Sequence, residues 1–209
     1  MDDPREQLER ALALENATER RLSVVAVIDV LMQQIDFRAV VIGGLAVEFW
    51  TRGAYATNDI DLYLPHGPAV LQLLGPLGFE RKGRHYVLPG SDVFVEAPGP
   101  SFPAESEEVY EVTLRSGFVV PVLSSADVLV DRLHQFVAGG HTDVAEQAVA
   151  LLSAEELDRE HLSRRAREES LAAALAAITA IAERVEAGEK IPSWDLHEVA
   201  RALRRPGVQ

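Results

Sequence analysis

The chain has 209 residues, 47% of them hydrophobic, enough for one cored domain with an appended subdomain. Its 33 acidic against 20 basic side chains give a formal net charge of −13, and no long basic run offsets that excess, which weighs against extended nucleic-acid binding. Cysteine is absent, so disulfides and thiolate metal sites are excluded and the redox compartment is left unconstrained. The charged start Met1-Asp2-Asp3-Pro4-Arg5-Glu6 lacks the apolar run of a signal peptide, and no stretch approaches membrane-spanning length. These features read as a soluble, cytoplasmic protein.

Asp3-Pro4-Arg5-Glu6 combines an N-cap acid, proline at the first helical position and glutamate three residues after the cap, which predicts a helix start. From about Thr18 to Ile35 the stripe Leu22, Val25, Ile28, Met32 and Ile35 recurs at spacings of three and four, a helix docked on a core. A first strand is expected over Phe37–Ile42, ended by Gly43-Gly44, and a short helix follows. A second strand begins near Asp59. After the break His66-Gly67-Pro68, a helix is expected from Ala69 to Leu77, closed by Gly78. Phe79–Leu88 and Val93–Ala97, separated by Pro89-Gly90-Ser91-Asp92, read as one antiparallel hairpin. A loop over 98–103 leads to a second hairpin, Val109–Leu114 with Phe118–Leu123. Beyond Leu123 the strand signals stop. Ser124-Ser125-Ala126-Asp127 opens a helix burying Leu129, Leu133 and Phe136, and another runs from Asp143 to Leu152. Ser153-Ala154-Glu155-Glu156 is expected to cap the next, Leu171, Leu175, Ile178, Ala182 and Val185 stripe the last long helix, and a short one closes around Trp194–Leu203.

Chemistry concentrates in two neighbouring motifs. Gly43 and Gly44 free the backbone to turn sharply and let an anionic group approach the N–H groups that open the next helix. In Asp59-Ile60-Asp61-Leu62-Tyr63-Leu64 the strand period of two puts Asp59, Asp61 and Tyr63 on one face and the aliphatic residues on the other. Two carboxylates about 7 Å apart along a strand face can converge on hard divalent cations, which prefer oxygen ligands. In the later strand Asp92, Phe94 and Glu96 share a face, which offers a third acid. The six histidines are scattered without metalloprotease spacing and receive no catalytic role.

Gly43-Gly44 followed by Arg52, Thr57 and Asp59-Ile60-Asp61-Leu62 resembles the signature of the polymerase-beta-like nucleotidyltransferase superfamily, in particular its minimal branch, which includes the nucleotidyltransferases of toxin–antitoxin systems. The specific match spans about Val40–Leu64, with weaker agreement in element order through Leu152. The resemblance implies that Gly43 and Gly44 cradle a triphosphate, that Asp59 and Asp61 bind Mg²⁺, and that a third carboxylate on a following strand accepts the proton of an attacking hydroxyl. Glu96, which would also face the metal, is the first choice for that role and Asp92 the second. Two departures stand out. Gly44 occupies a position where many members carry serine, and Arg132 and Asp143 are the nearest counterparts of a lysine and an aspartate that complete the site in the toxin-like relatives. Arg52, Arg132 and Asp143 therefore enter as nucleotide-binding candidates.

The resulting expectation is an α+β protein. Residues 1–36 form an N-terminal helical segment packed on the core, 37–123 a nucleotidyltransferase-like mixed β-sheet core flanked by helices, and 124–209 a C-terminal helical subdomain. The expected function is Mg²⁺-dependent transfer of a nucleoside monophosphate from an NTP to a hydroxyl of a small molecule, a protein or a tRNA end. The alternative is a catalytically degenerate module of that fold that binds nucleotide or a protein, such as a cognate antitoxin.

Overall fold

The computed structural model describes residues 3–65, 67–97 and 107–204. The loop expected over 98–103 and His66 lie outside the described residues. The chain divides into two compact units, residues 1–49 with 56–123 and residues 50–55 with 124–209.

The first unit opens with helix α1, Pro4–Leu12, whose N-cap Asp3 accepts the Arg5 N–H. Helix α2, Ala17–Met32, is capped by Asn16 and ends in a 3-10 turn through Ile35. Buried positions lie on nearly every face of α2, including Arg21, Ser23 and Asp29. Such a helix needs internal partners for its polar groups, and Asp29 finds them in Arg38 and the Ala39 N–H.

Seven strands form one mixed sheet among the described residues: β1 Val40–Val41, β2 Ile60–Tyr63, β3 Glu80–Lys82, β4 His85–Val87, β5 Phe94–Glu96, β6 Val109–Thr113 and β7 Val119–Leu123. Their order is β3-β4-β5-β2-β1-β7-β6. β1 runs antiparallel to β2 and parallel to β7, and β2 runs parallel to β5. Helix α3, Gly43–Trp50, begins directly after β1, and α4, Pro68–Leu74, follows β2.

Two expectations are corrected here. The ordered first strand is two residues long rather than Phe37–Ile42, because Phe37 is still tied to the preceding helix through its N–H to Met32 O. The segment expected as one long strand, Phe79–Leu88, is itself a hairpin, β3 with β4, in register Lys82↔His85. Gly83 at φ +66° makes that tight turn, a backbone region that favours glycine. β5 pairs antiparallel with β4 as expected, which makes it the third strand of a meander.

The second unit is helical: α5 Ser125–Gly139, α6 Thr142–Leu152, α7 Arg159–Glu168, α8 Ala172–Glu186 and α9 Ser193–Leu203. Ser124 caps α5 by accepting the Asp127 N–H, and the chain leaves α5 at Gly140 in the left-handed region. Ser153–Glu156 does not cap α7; Asp158 does, accepting the N–H groups of Glu160 and His161. That double contact holds the Asp158 carboxyl below its ordinary value. Asp127 is fully buried and receives Ser124 Oγ at 2.7 Å, His161 Nε2 at 2.8 Å and Arg165 Nε at 2.9 Å, which binds α5 to α7. No helix among the described residues is long and apolar enough to cross a membrane.

Candidate functional site

The candidate site lies in the first unit, where β1, the start of α3, β2 and β5 meet. The strand period explains how β2 presents it. Ile60 and Leu62 are fully buried on one face, and Asp61 and Tyr63 are half-buried on the other. Asp61 stands directly beside Glu96 in the parallel register of β2 and β5, while Ile60 stands beside Val95. Asp61 and Glu96 therefore leave the sheet on the same face from neighbouring strands, with His85 of β4 next in the row opposite Glu96.

The glycine turn is built around Asp61. Gly44 N–H donates to Asp61 Oδ2 at 2.9 Å, and Ile42 N–H donates to the Asp61 carbonyl at 3.0 Å. Gly43 sits at φ +59°, and a Cβ placed there would lie 2.2 Å from Asp61 Oδ2, well inside van der Waals contact. Gly43 is thus required twice, by its backbone angle and by the approach of the carboxylate. The amide of Gly44, a residue expected at phosphate, here holds the acid.

Asp59, one residue before β2, is exposed, and its N–H donates to Thr57 Oγ1 at 3.3 Å. Thr57 packs on the glycine turn as well: a Cβ on Gly44 would meet its Oγ1 at 3.1 Å. Glu96 is held by Arg84 Nη2 at 2.8 Å, with His85 Nε2 at 3.7 Å from its other oxygen. Among the described residues no three His, Asp or Glu side chains gather as a ready metal cage.

The other candidates are distributed differently. Asp92 sits in the turn before β5, four residues from Glu96, which is about 13 Å along an extended chain. It pairs there with Arg20 at 2.7 Å, whose guanidinium holds the Asp92 carboxyl below its ordinary value. The structure therefore places Glu96, and not Asp92, beside Asp61. Arg52, Arg132 and Asp143 all belong to the helical unit. Arg52 adopts φ +53°, is exposed, and pairs with Glu155 at 2.5 Å and Glu156 at 3.4 Å; the two carboxylates raise its pKa. Arg132 is buried, donating to Gln147 Oε1 at 3.0 Å and Asp131 at 2.6 Å. Asp143 is exposed in the first turn of α6.

Glu48 and Arg21 were not singled out from sequence. Glu48 of α3 is 3% exposed and accepts both contacts of Arg21 Nη2 at 2.8 and 2.9 Å, the hydroxyl of Thr18, and the Thr57 N–H at 2.8 Å. The available signal was a lone acid in the apolar run Leu45-Ala46-Val47-Glu48-Phe49-Trp50.

No protein-family profile matches the chain, and no curated protein matches it. Among solved structures, an antigenic nucleotidyltransferase-like protein from Paracoccidioides brasiliensis is similar over 74% of this chain and 91% of its own, at 18% identity and a TM-score of 0.49. The antibiotic-resistance factor ANT(2'')-Ia is similar over 78% of this chain and 94% of its own, at 16% identity and a TM-score of 0.46.

Proposed function

We propose that the sheet unit is a nucleotidyltransferase site, which takes an NTP and moves its nucleoside monophosphate to a hydroxyl acceptor. The observation that carries this reading is the register of Asp61 with Glu96, two carboxylates on one sheet face beside a glycine turn that clamps the first of them. The donor set suits a hard cation. Mg²⁺ is held by one or two carboxylates together with substrate phosphates, so Asp59 and Asp61 suffice as protein ligands. Held there, the ion would offset charge on the phosphates of an in-line displacement.

In this reading Asp61, fixed by Gly44, and Asp59 orient the triphosphate end of the nucleotide. Glu96 receives the proton of the acceptor hydroxyl as its oxygen bonds to the α-phosphorus. The bond from that phosphorus to the bridging oxygen breaks, and pyrophosphate leaves. Arg84 takes Oε1 of Glu96, so it is Oε2, with His85 Nε2 at 3.7 Å, that would meet the hydroxyl as base. The acceptor is a small molecule, a protein side chain or a tRNA end gripped locally, and the setting is cytoplasmic, with a toxin–antitoxin pair as one biological context. The same Arg84 contact favours a second reading, a module that binds nucleotide without transferring it.

Calorimetric titration of ATP, GTP, CTP and UTP with and without Mg²⁺ tests the nucleotide site. Mg²⁺-dependent binding of at least one NTP, lost in Asp59→Ala and Asp61→Ala, is the expected result; failure of all four to bind removes the reading. Incubation of α-labelled NTP with cell extract then separates the two versions, since binding without label transfer selects the second.

A further inference from the structure

The buried acid Glu48 does work that packing does not explain. Burying an ion pair is seldom more stabilising than burying apolar side chains of similar volume, so holding α2 against α3 would not by itself call for Glu48 and Arg21. What the carboxylate adds is a third partner: besides Thr18 and Arg21, whose Nη2 reaches both oxygens, it accepts the Thr57 N–H at 2.8 Å. Thr57 in turn touches both halves of the candidate site. Its Oγ1 accepts the Asp59 N–H, and its side chain fills the space over Gly44. A chain of direct contacts thus runs from α2 through Glu48 and Thr57 to Asp59.

We propose that Glu48 is the positioning residue for Asp59, fixing the segment before β2 against the glycine turn so that Asp59 and Asp61 face one divalent cation. The role rests on the nucleotidyltransferase reading above. Asp61 has its own clamp in the Gly44 amide. Asp59 is exposed and precedes the strand, so Thr57 is what orders it, and Thr57 is ordered by Glu48. Arg21, 6% exposed and hydrogen-bonded to both Glu48 oxygens, keeps that carboxylate aimed.

Three substitutions test the chain of contacts. Glu48→Gln keeps size but weakens the pair with Arg21; Thr57→Val keeps shape and the amide but removes the oxygen that accepts from Asp59; Thr57→Ser keeps that oxygen. Two readouts are needed, amide hydrogen exchange of residues 56–60 and Mn²⁺ affinity followed by electron paramagnetic resonance. In Glu48→Gln and Thr57→Val, exchange of 56–60 should accelerate at least tenfold with the remaining sheet unchanged, and Mn²⁺ affinity should fall about tenfold, the size expected when a group orienting a metal ligand is lost. Thr57→Ser should restore both to wild-type values. Unchanged exchange in Glu48→Gln and Thr57→Val overturns the proposal, as does faster exchange with Mn²⁺ affinity intact. A wild-type protein that binds neither Mn²⁺ nor NTP instead removes the nucleotidyltransferase reading, and with it the positioning role, even where exchange shows the contacts to Thr57 to be real.

Discussion

Glu48 in the sheet unit and Asp127 in the helical unit are each buried against an arginine that is itself buried, and the two centres are put to different use. Glu48 in the sheet unit accepts from Arg21 and Thr18, then reaches out of its helix to a loop amide. Asp127 in the helical unit accepts from Ser124, His161 and Arg165, all on or beside the helices it joins, and Arg165 passes the network on to Glu169 of the same turn. The first ends beside the candidate acids; the second closes on helix packing. The difference shows that a buried ion pair by itself does not mark a functional site. Where its last contact ends decides the matter.

The largest expected effect breaks the second centre. Asp127→Ala leaves Arg165 buried without its main partner and should cost about 3–5 kcal/mol of stability, measured by denaturant unfolding. NTP and Mn²⁺ affinity, measured below the melting range, should stay as in the wild type, the reverse of what is expected for Glu48→Gln. Next comes Gly43→Ala. A side chain at φ +59° costs about 1–2 kcal/mol, and the added Cβ displaces Asp61 as well. A shift of that size at a reacting group reduces transfer by about 100-fold, so activity should fall much further than stability. Ser124→Ala removes the α5 cap and one Asp127 partner and should cost about 1 kcal/mol, with no change in nucleotide affinity. Smallest is Asp92→Asn. Arg20 depresses the Asp92 pKa, so the native state gains stability from that group above the ordinary Asp value of 3.8, and the gain is lost as pH falls through the lower folded value. Because Asp92 is 57% exposed, screening limits the gain to about 0.5 kcal/mol. Unfolding curves of wild type and Asp92→Asn should therefore differ slightly at pH 7 and converge in acid.

Much of this organisation was legible in the sequence where a local rule governs it. The strand period alone put Asp61 and Tyr63 on one face and Ile60 and Leu62 on the other, although β2 begins only after Asp59, and Asp3-Pro4 announced α1. The β6–β7 hairpin was found to within a residue, because Ser116-Gly117 marks its turn. Errors arose where a local signal had two meanings. Gly83 stands between the charged Glu80-Arg81-Lys82 and Arg84-His85, where a lone glycine fits a strand interior as well as a turn, and it turns the chain. The capping pattern Ser153-Ala154-Glu155-Glu156 marks a helix start too early, and Asp158 performs the role. In the site, the pairing of Glu96 with Asp61 depends on strand register, which joins positions 35 residues apart by number and has no local trace. Glu48 was hidden for the same reason. In a short helix a lone acid reads as the solvated face, and only Arg21, from a helix 27 residues earlier, identifies it as buried.

The division of the chain also constrains how it can be rearranged. The helical unit comprises 124–209 and the short segment 50–55, with Arg52 pairing to Glu155 and Glu156 inside that unit. A single crossover at 123/124 in gene recombination would therefore deliver the helices without the segment that belongs to their unit. Inheritance of the helical unit intact requires two further crossovers, at 49/50 and 55/56, between the glycine turn and the two aspartates. Shuffling of the helices is thereby linked to the one stretch of sequence where a change of length would be felt by the acids.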